Sequence, residues 1–242
     1  MYKSKKNKYN RILLKISGEF LKSSNESGIN FLFLKNLISQ IKLLVKLGIQ
    51  VGLVVGGGNL FRGSDLEKIG MRRAVSDQIG MLSTVINALS IYEIMKRMNC
   101  QSRIFSSTTI GGICEKYRLD DVNQALENNC VVLFCFGLGV PFFTTDSSAC
   151  VHGIAIKADI FLKGTKVDGV YSSDPNINES ATIYHQLKYK DLINKELNVM
   201  DYTSLILASQ HKLPILVFNM SNPKILYEIL LESRQVGTLI TE

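Results

Sequence analysis

An α/β fold with a largely parallel central sheet is predicted by two features of the 242-residue chain. Five strand-length apolar runs, at 12–16, 51–55, 131–136, 160–162 and 215–218, alternate with segments of helical period, the pattern of crossover units whose sheet is covered on both faces. Four clusters rich in glycine, hydroxyl and charged groups stand at the ends of those runs, where open α/β sheets place their ligands. With 46% hydrophobic and 20% charged residues, the chain has the material for a large core.

The first run leaves through Lys15-Ile16-Ser17-Gly18-Glu19. Its lysine, hydroxyl and glycine can hold a polyphosphate by side-chain charge and backbone amides together, although a lysine at a strand end is also compatible with simple solvation. Leu34, Leu37, Ile38, Ile41, Leu44 and Val45 then recur at helical spacing, and Gly48 supplies the stop. The second run, ending Val54-Val55, empties into Gly56-Gly57-Gly58 and presents Arg62 four residues later. Glycines let amide groups converge on an anion, and a guanidinium grips phosphate oxygens with paired hydrogen bonds. A tight turn leaving a buried strand is the plainer reading of the same glycines.

A long helix is expected from about Arg72 to Arg97, striped by Val75, Ile79, Leu82, Ile86 and Leu89. The stripe fits either core packing or a self-complementary subunit contact. Asp77 on this helix is placed either to accept from a ribose diol or as plain helix surface. The third strand run ends in Gly137-Leu138-Gly139-Val140-Pro141-Phe142-Phe143-Thr144-Thr145-Asp146. There Thr144 or Thr145 can cap the next helix, whose positive end favours phosphate. The fourth cluster, Lys163 to Pro175, joins a polar strand exit to an Asp-Pro turn beside Tyr171 and suits a base and ribose. Tyr171 to Asn178 is the clearest loop.

The net charge is +7, yet residues 1–11 hold five basic residues and no acidic one, so most of the excess lies in a tail. No basic patch interleaved with aromatics follows it, which argues against a nucleic-acid partner. The five cysteines are odd in number, form no Cys-x-x-Cys pair and read as reduced core residues, while the three histidines stand apart and read as surface or satisfied groups. No apolar run reaches the roughly 18 residues of a membrane span, and the basic start leads only to a short apolar stretch, so a soluble, cytoplasmic protein without a signal peptide is expected. A Walker A pattern is absent from the sequence. Two phosphate cradles with Lys15 and Asp146 nevertheless fit phosphoryl transfer, in which the protein aligns donor and acceptor and neutralises the moving charge.

Lys15-Ile-Ser-Gly-Glu, Gly-Gly-Gly-Asn-Leu-Phe-Arg-Gly, Pro-Phe-Phe-Thr-Thr-Asp and Lys-Val-Asp-Gly-Val-Tyr-Ser-Ser-Asp-Pro together resemble the bacterial UMP kinases of the amino-acid kinase superfamily. The likeness is collinear from about Arg11 to Thr241 and includes Val199-Met-Asp and Gly237-Thr-Leu-Ile. It implies a three-layer α/β/α sandwich over 11–242 behind a flexible basic tail at 1–10, with the acceptor mainly on the N-terminal half and ATP mainly on the C-terminal half. It also implies a homohexamer that converts UMP and ATP to UDP and ADP with Mg²⁺, with UTP as a feedback inhibitor. By resemblance, Lys15, Ile16, Ser17, Gly18, Gly58 and Arg62 would meet ATP phosphates, and Thr165, Tyr171 and Asp174 would bind its adenosine. Gly57 and Asp77 would hold UMP, and Leu138, Gly139, Val140, Pro141, Phe142, Phe143, Thr144 and Thr145 would wrap its base and phosphate. Lys15, Arg62 and Asp146 would carry the chemistry, Asp146 by orienting Lys15 or the metal.

The chain departs from that pattern at Leu138 and Val140, where the family usually carries Thr and Asn. Losing both polar handles should weaken discrimination of UMP from CMP and soften UTP inhibition. Tyr92, Leu119 and Cys130 stand where relatives that respond to GTP carry basic and aromatic groups, with Lys96 and Arg103 still basic, so GTP activation is expected to be weak or absent. A carbamate or carboxylate kinase and a non-catalytic nucleotide sensor or storage protein on the same fold are the alternative readings.

Overall fold

The computed structural model describes residues 8–23, 29–175, 177–197 and 199–242. The basic tail therefore lies mostly outside the described residues. The strands are β1 (Arg11–Ile16), β2 (Gln50–Val55), β3 (Ser102–Ser106), β4 (Glu115–Lys116), β5 (Val131–Cys135), β6 (Ile160–Thr165), β7 (Val170–Tyr171), β8 (Ile183–Tyr184), β9 (Gln186–Lys188), β10 (Ile215–Asn219) and β11 (Thr238–Thr241). The helices are α1 (Phe31–Lys46), α2 (Gly63–Lys68), α3 (Arg73–Arg97), α4 (Leu119–Glu127), α5 (Thr145–Ala155), α6 (Tyr189–Asn194), α7 (Tyr202–Gln210) and α8 (Ile225–Leu230).

Nine strands form one sheet in the order β4-β3-β5-β2-β1-β6-β10-β11-β9, parallel throughout except for the β10–β11 pair. Strands β7 and β8 make a separate hairpin. The central strands are apolar on both sides because both sides are covered. Helices α1, α3 and α8 pack against one face through Leu37, Ile41, Ile91 and Leu226. Helices α4 to α7 cover the other through Leu126, Ala149, Leu192 and Leu205. The α/β/α sandwich expected from the sequence is thus the observed architecture.

Helix α1 follows its sequence closely. The Asn30 side chain accepts from the Phe33 N–H at the start, Leu34, Leu37, Ile38, Ile41 and Leu44 are buried, and Gly48 ends it at φ +83°. Helix α3 also has the expected bounds, but its core face is not the stripe of large residues. Ser76, Met81, Ser83, Thr84, Val85, Asn87, Ala88, Ile91 and Met95 are the buried ones, whereas Leu82, Ile86 and Leu89 are 53%, 52% and 42% exposed. Small and polar residues let the helix approach the glycine loop closely, and the large ones are left facing outward. Core packing therefore does not account for Leu82, Ile86 and Leu89, while Val75 and Ile79 are partly buried.

The histidines divide. His185 and His211 are exposed, but His152 on α5 is buried, stacked at 4.2 Å on Phe134 and 5.0 Å from Tyr117, with no partner for Nδ1. It is neither a surface nor a satisfied residue, and burial pushes its pKa down to about 4. Its folded value lies below the unfolded value near 6.5, so the unfolded chain takes up the proton first, and stability falls as pH drops from about 6.5 toward 4. The full loss is about 3 kcal/mol. Urea midpoints at pH 7 and pH 5 should differ in the parent chain and converge in His152→Phe; an unchanged difference would reject the assignment.

Candidate active site

The carboxyl ends of β1, β2, β5 and β6 converge on one edge of the sheet, as the strand order requires. Two glycine turns meet there. The Gly56 N–H donates to the Ile16 carbonyl at 3.1 Å, tying the exit of β2 to that of β1. A side chain at Gly18 would stand 2.6 Å from the Gly56 carbonyl oxygen and 2.8 Å from the Gly58 nitrogen, so only glycine allows the two turns to touch. Gly57 is equally confined, since a Cβ there would lie 2.6 Å from the Gly80 carbonyl on α3. At Gly58 nothing approaches within 4 Å, so this residue opens to a cavity.

At the centre stands Asp146, in the first turn of α5. Thr144 caps that helix, accepting from the Asp146 and Ser147 N–H groups at 3.1 and 3.2 Å, while the Thr144 N–H donates to Ser147 Oγ. Of the two threonines that the sequence allowed as caps, it is therefore Thr144. The capped turn aims the carboxylate at the sheet. Lys15 Nζ lies 2.8 Å from one oxygen of Asp146, and Lys163 Nζ donates to the other. Lys15 and Lys163 are register partners on the adjacent strands β1 and β6. Burial alone pushes the Asp146 carboxyl up, but the two ammonium groups outweigh it and hold the group below the usual carboxylate range. Burial lowers Lys163, and Asp146 opposes that shift. The aspartate therefore offsets part of what burial does to Lys163.

Sequence reasoning missed Lys163, which sat in a quoted cluster as part of a strand exit. The strand continues to Thr165, which makes Lys163 an internal, buried residue. It also missed Asp201. That carboxylate caps α7 through the Ser204 N–H and accepts from the hydroxyls of Thr144, Ser147 and Ser204. Burial raises Asp201, yet these hydrogen bonds, Ser204 first, bring it below its ordinary value. It fixes the turn that carries Asp146. The sequence signals were its place in the Val199-Met-Asp stretch, quoted without a role, and a serine three residues on, an ordinary helix-cap pattern.

Two cavities of about 530 Å³ each flank this centre. The first is walled by Gly57, Gly58, Arg62, Asp77, Leu138, Val140, Phe143, Thr144 and Thr145. Gly139, Pro141 and Phe142 belong to the same loop but not to that wall, and Phe142 points outward. Asp77 lines the cavity and is already engaged. Arg73 donates to both its oxygens from 3.0 Å, and the Phe142 N–H donates to one of them at 2.8 Å. Phe142 takes φ +73°, a left-handed conformation costly for a bulky residue, which this hydrogen bond helps to hold. The second cavity is walled by Thr165, Tyr171, Asp174, Pro175 and Val199. Ile16, Ser17 and Gly18 lie at the exit of β1 rather than in either wall.

Arg62 lines the first cavity and also donates to Glu19, which takes Lys166 at 3.1 Å as well. The Lys166 hydrogen bond, against a smaller effect of burial, keeps the Glu19 carboxyl below its usual value. Four cations, Lys15, Lys163, Arg62 and Lys166, thus face two carboxylates, a surplus suited to phosphate groups. Among the described residues no cluster of three acids, histidines or cysteines offers a metal site. The two Asp146 oxygens face Lys15 and Lys163, and Oδ1, ion-paired to Lys15 but without a hydrogen bond, is the atom that would face Mg²⁺.

A sequence model of the Amino acid kinase family matches residues 10–219. Over 236 residues, 98% of this chain and 99% of the relative, the sequence is 65% identical to the uridylate kinase of Buchnera aphidicola subsp. Cinara cedri. It is 50% identical over 234 residues, 97% of each chain, to the uridylate kinase of Klebsiella pneumoniae. The fold superposes on the crystal structure of UMP kinase from Bacillus anthracis with a TM-score of 0.92 at 36% identity, covering 96% of both chains.

Proposed function

This chain belongs to the amino acid kinase family, and from that premise we propose that it transfers the γ-phosphoryl group of ATP to UMP, giving UDP and ADP. The observation that carries the reading is the Asp146 carboxylate between Lys15 and Lys163, flanked by two cavities of equal size. Support comes from relatives named uridylate kinase along nearly the whole chain.

The acceptor fills the cavity between α3 and the loop 137–143, its phosphate toward Gly57 and the capped start of α5, its ribose toward Asp77, with Gly58 and Arg62 on the same wall where the ATP phosphates would meet it. ATP fills the cavity at Tyr171 and Asp174, its triphosphate running past Ser17 and Gly18 toward Lys15. An oxygen of the UMP phosphate attacks the γ-phosphorus, a new P–O bond forms, and the bond to the bridging oxygen of ADP breaks. The attacking oxygen is already ionised, so no side chain need remove a proton. Lys15 and Lys163 neutralise charge on the moving group, and Asp146 holds both in place. Mg²⁺ bound with ATP would add charge neutralisation there, with Asp146 the residue that would face it.

The exposed stripe Leu82, Ile86 and Leu89 on α3 supports self-association, and we assign the assembly as a homohexamer, for which mass in solution is the direct check. No described helix is long and apolar enough to cross a membrane. We propose a cytoplasmic location, where the nucleotide substrates are soluble.

An ADP-release assay across UMP, CMP, dUMP and GMP tests the function. UMP should give the highest kcat/KM; no turnover with any of them would reject it. Leu138 and Val140 line the acceptor cavity with apolar side chains, so the preference over CMP should be modest, of the order of 10–100-fold. GTP added to the same assay should leave the rate nearly unchanged. The cavity of about 500 Å³ at Tyr92, Lys96 and Cys130 is lined by one cation, and Arg103 is already paired with Glu115. A several-fold rise would contradict this.

A further inference from the structure

Cys114 and Cys135 play no part in the chemistry above, yet their sulfur atoms lie 3.6 Å apart. Cys135 ends β5 and Cys114 immediately precedes β4, with β3 between those strands. Both side chains reach the same face of the sheet, where they join one core cluster. They meet beside Ser106, the β3 residue opposite Cys135, whose small side chain leaves the space that a larger one would fill. Cys135 also lines the acceptor cavity, and Cys114 is half-exposed, so the pair can be approached from solvent.

We propose that Cys114 and Cys135 form a dithiol site for trivalent arsenicals, the class of soft, thiophilic reagent that binds two sulfurs through one atom. A direct disulfide would require the sulfurs to close from 3.6 Å to about 2.05 Å. An interposed arsenic atom joins the sulfurs close to where they already stand. With an arsenoxide R–As=O, two As–S bonds form and the As–O double bond breaks. Both thiol protons leave on that oxygen as water, and neither arsenic nor sulfur changes oxidation state. Burial pushes both thiols above their ordinary pKa, which slows alkylating reagents that need the thiolate.

Binding has a structural consequence. The residue after Cys135 is Phe136, at φ +62°, whose N–H donates to Thr84 Oγ1 and whose carbonyl accepts from Ser107 Oγ. It is the root of the acceptor loop, so a bridge between Cys114 and Cys135 clamps that root to the start of β4.

The test uses phenylarsine oxide on the folded full chain, read by intact mass. One phenylarsenic group per chain is expected. Trapping the remaining thiols with N-ethylmaleimide in denaturant, followed by peptide mapping, should find Cys100, Cys130 and Cys150 labelled and Cys114 and Cys135 blocked. Cys114→Ser, at the more exposed position, should weaken binding about 100-fold or more by converting a two-point attachment to one, while Cys130→Ser should bind as the parent does. Blocking of any other pair, absence of an adduct on the folded chain, or unchanged binding by Cys114→Ser would each overturn the proposal. The mapping on the parent chain decides the matter even if a variant does not fold.

Discussion

Replacing Asp146 with asparagine is expected to lower kcat by about two to three orders of magnitude and to destabilise the fold by about 3–5 kcal/mol, the usual result of removing one partner from a buried ion pair. The side chain keeps its shape, so the loss is one of charge. Lys15 and Lys163 then face each other with no negative charge between them, in surroundings that already push Lys163 toward its neutral form. One ammonium should lose its proton, and the variant's remaining rate should fall as pH rises through that lowered value. Paired urea unfolding curves and a pH profile of kcat/KM check both statements. A stable variant with near-normal kcat would remove Asp146 from the mechanism.

Lys15→Ala should leave a different signature, a kcat lower by about two to three orders of magnitude with a smaller change in the KM for UMP. Lys15 on β1 lies in neither cavity wall, and its ammonium is held by Asp146 rather than by the acceptor cavity. Its absence removes a cation positioned for the transferring group while Asp146 stays paired with Lys163, so stability should change less than in Asp146→Asn. Arginine should not rescue the rate, because a wide planar guanidinium cannot occupy the place of a compact point charge beside Lys163. Initial rates at saturating ATP, with UMP varied, decide the question. An equal loss in kcat/KM caused wholly by KM would reassign Lys15 to acceptor binding.

Much of this fold was legible because apolar runs and glycine stops have strong local causes. The five expected strands are the middle of the sheet, and α1 is framed by Asn30 and Gly48 as its sequence implies. The missed strands are short or polar. Ser102–Ser106 begins with a serine and an arginine, Glu115–Lys116 is two charged residues, and Thr238–Thr241 is held by pairing with β10 and β9 rather than by hydrophobic pattern. The α3 stripe misled for a related reason. The helix turns its small residues inward because Gly57 must touch it, and periodicity of large residues cannot report a face chosen for closeness. In the site, Lys15, Asp146 and the glycine loops were readable from their place after apolar runs. Lys163 was not, because the glycine beside it looked like the end of a strand that in fact continues. Asp201 was hidden because its partners Thr144 and Ser147 lie over fifty residues away.

The register of β1 on β6 has one more implication. Lys15 and Lys163 are spaced by the ladder of two neighbouring parallel strands, a dimension set by main-chain geometry and indifferent to side-chain drift elsewhere. The loop proposed to choose the acceptor hangs from a different strand, β5, two places away from β1 in the sheet. Changes such as those at Leu138 and Val140 can therefore accumulate without disturbing the engine of transfer. The architecture separates what is phosphorylated from how, and leaves the former free to evolve.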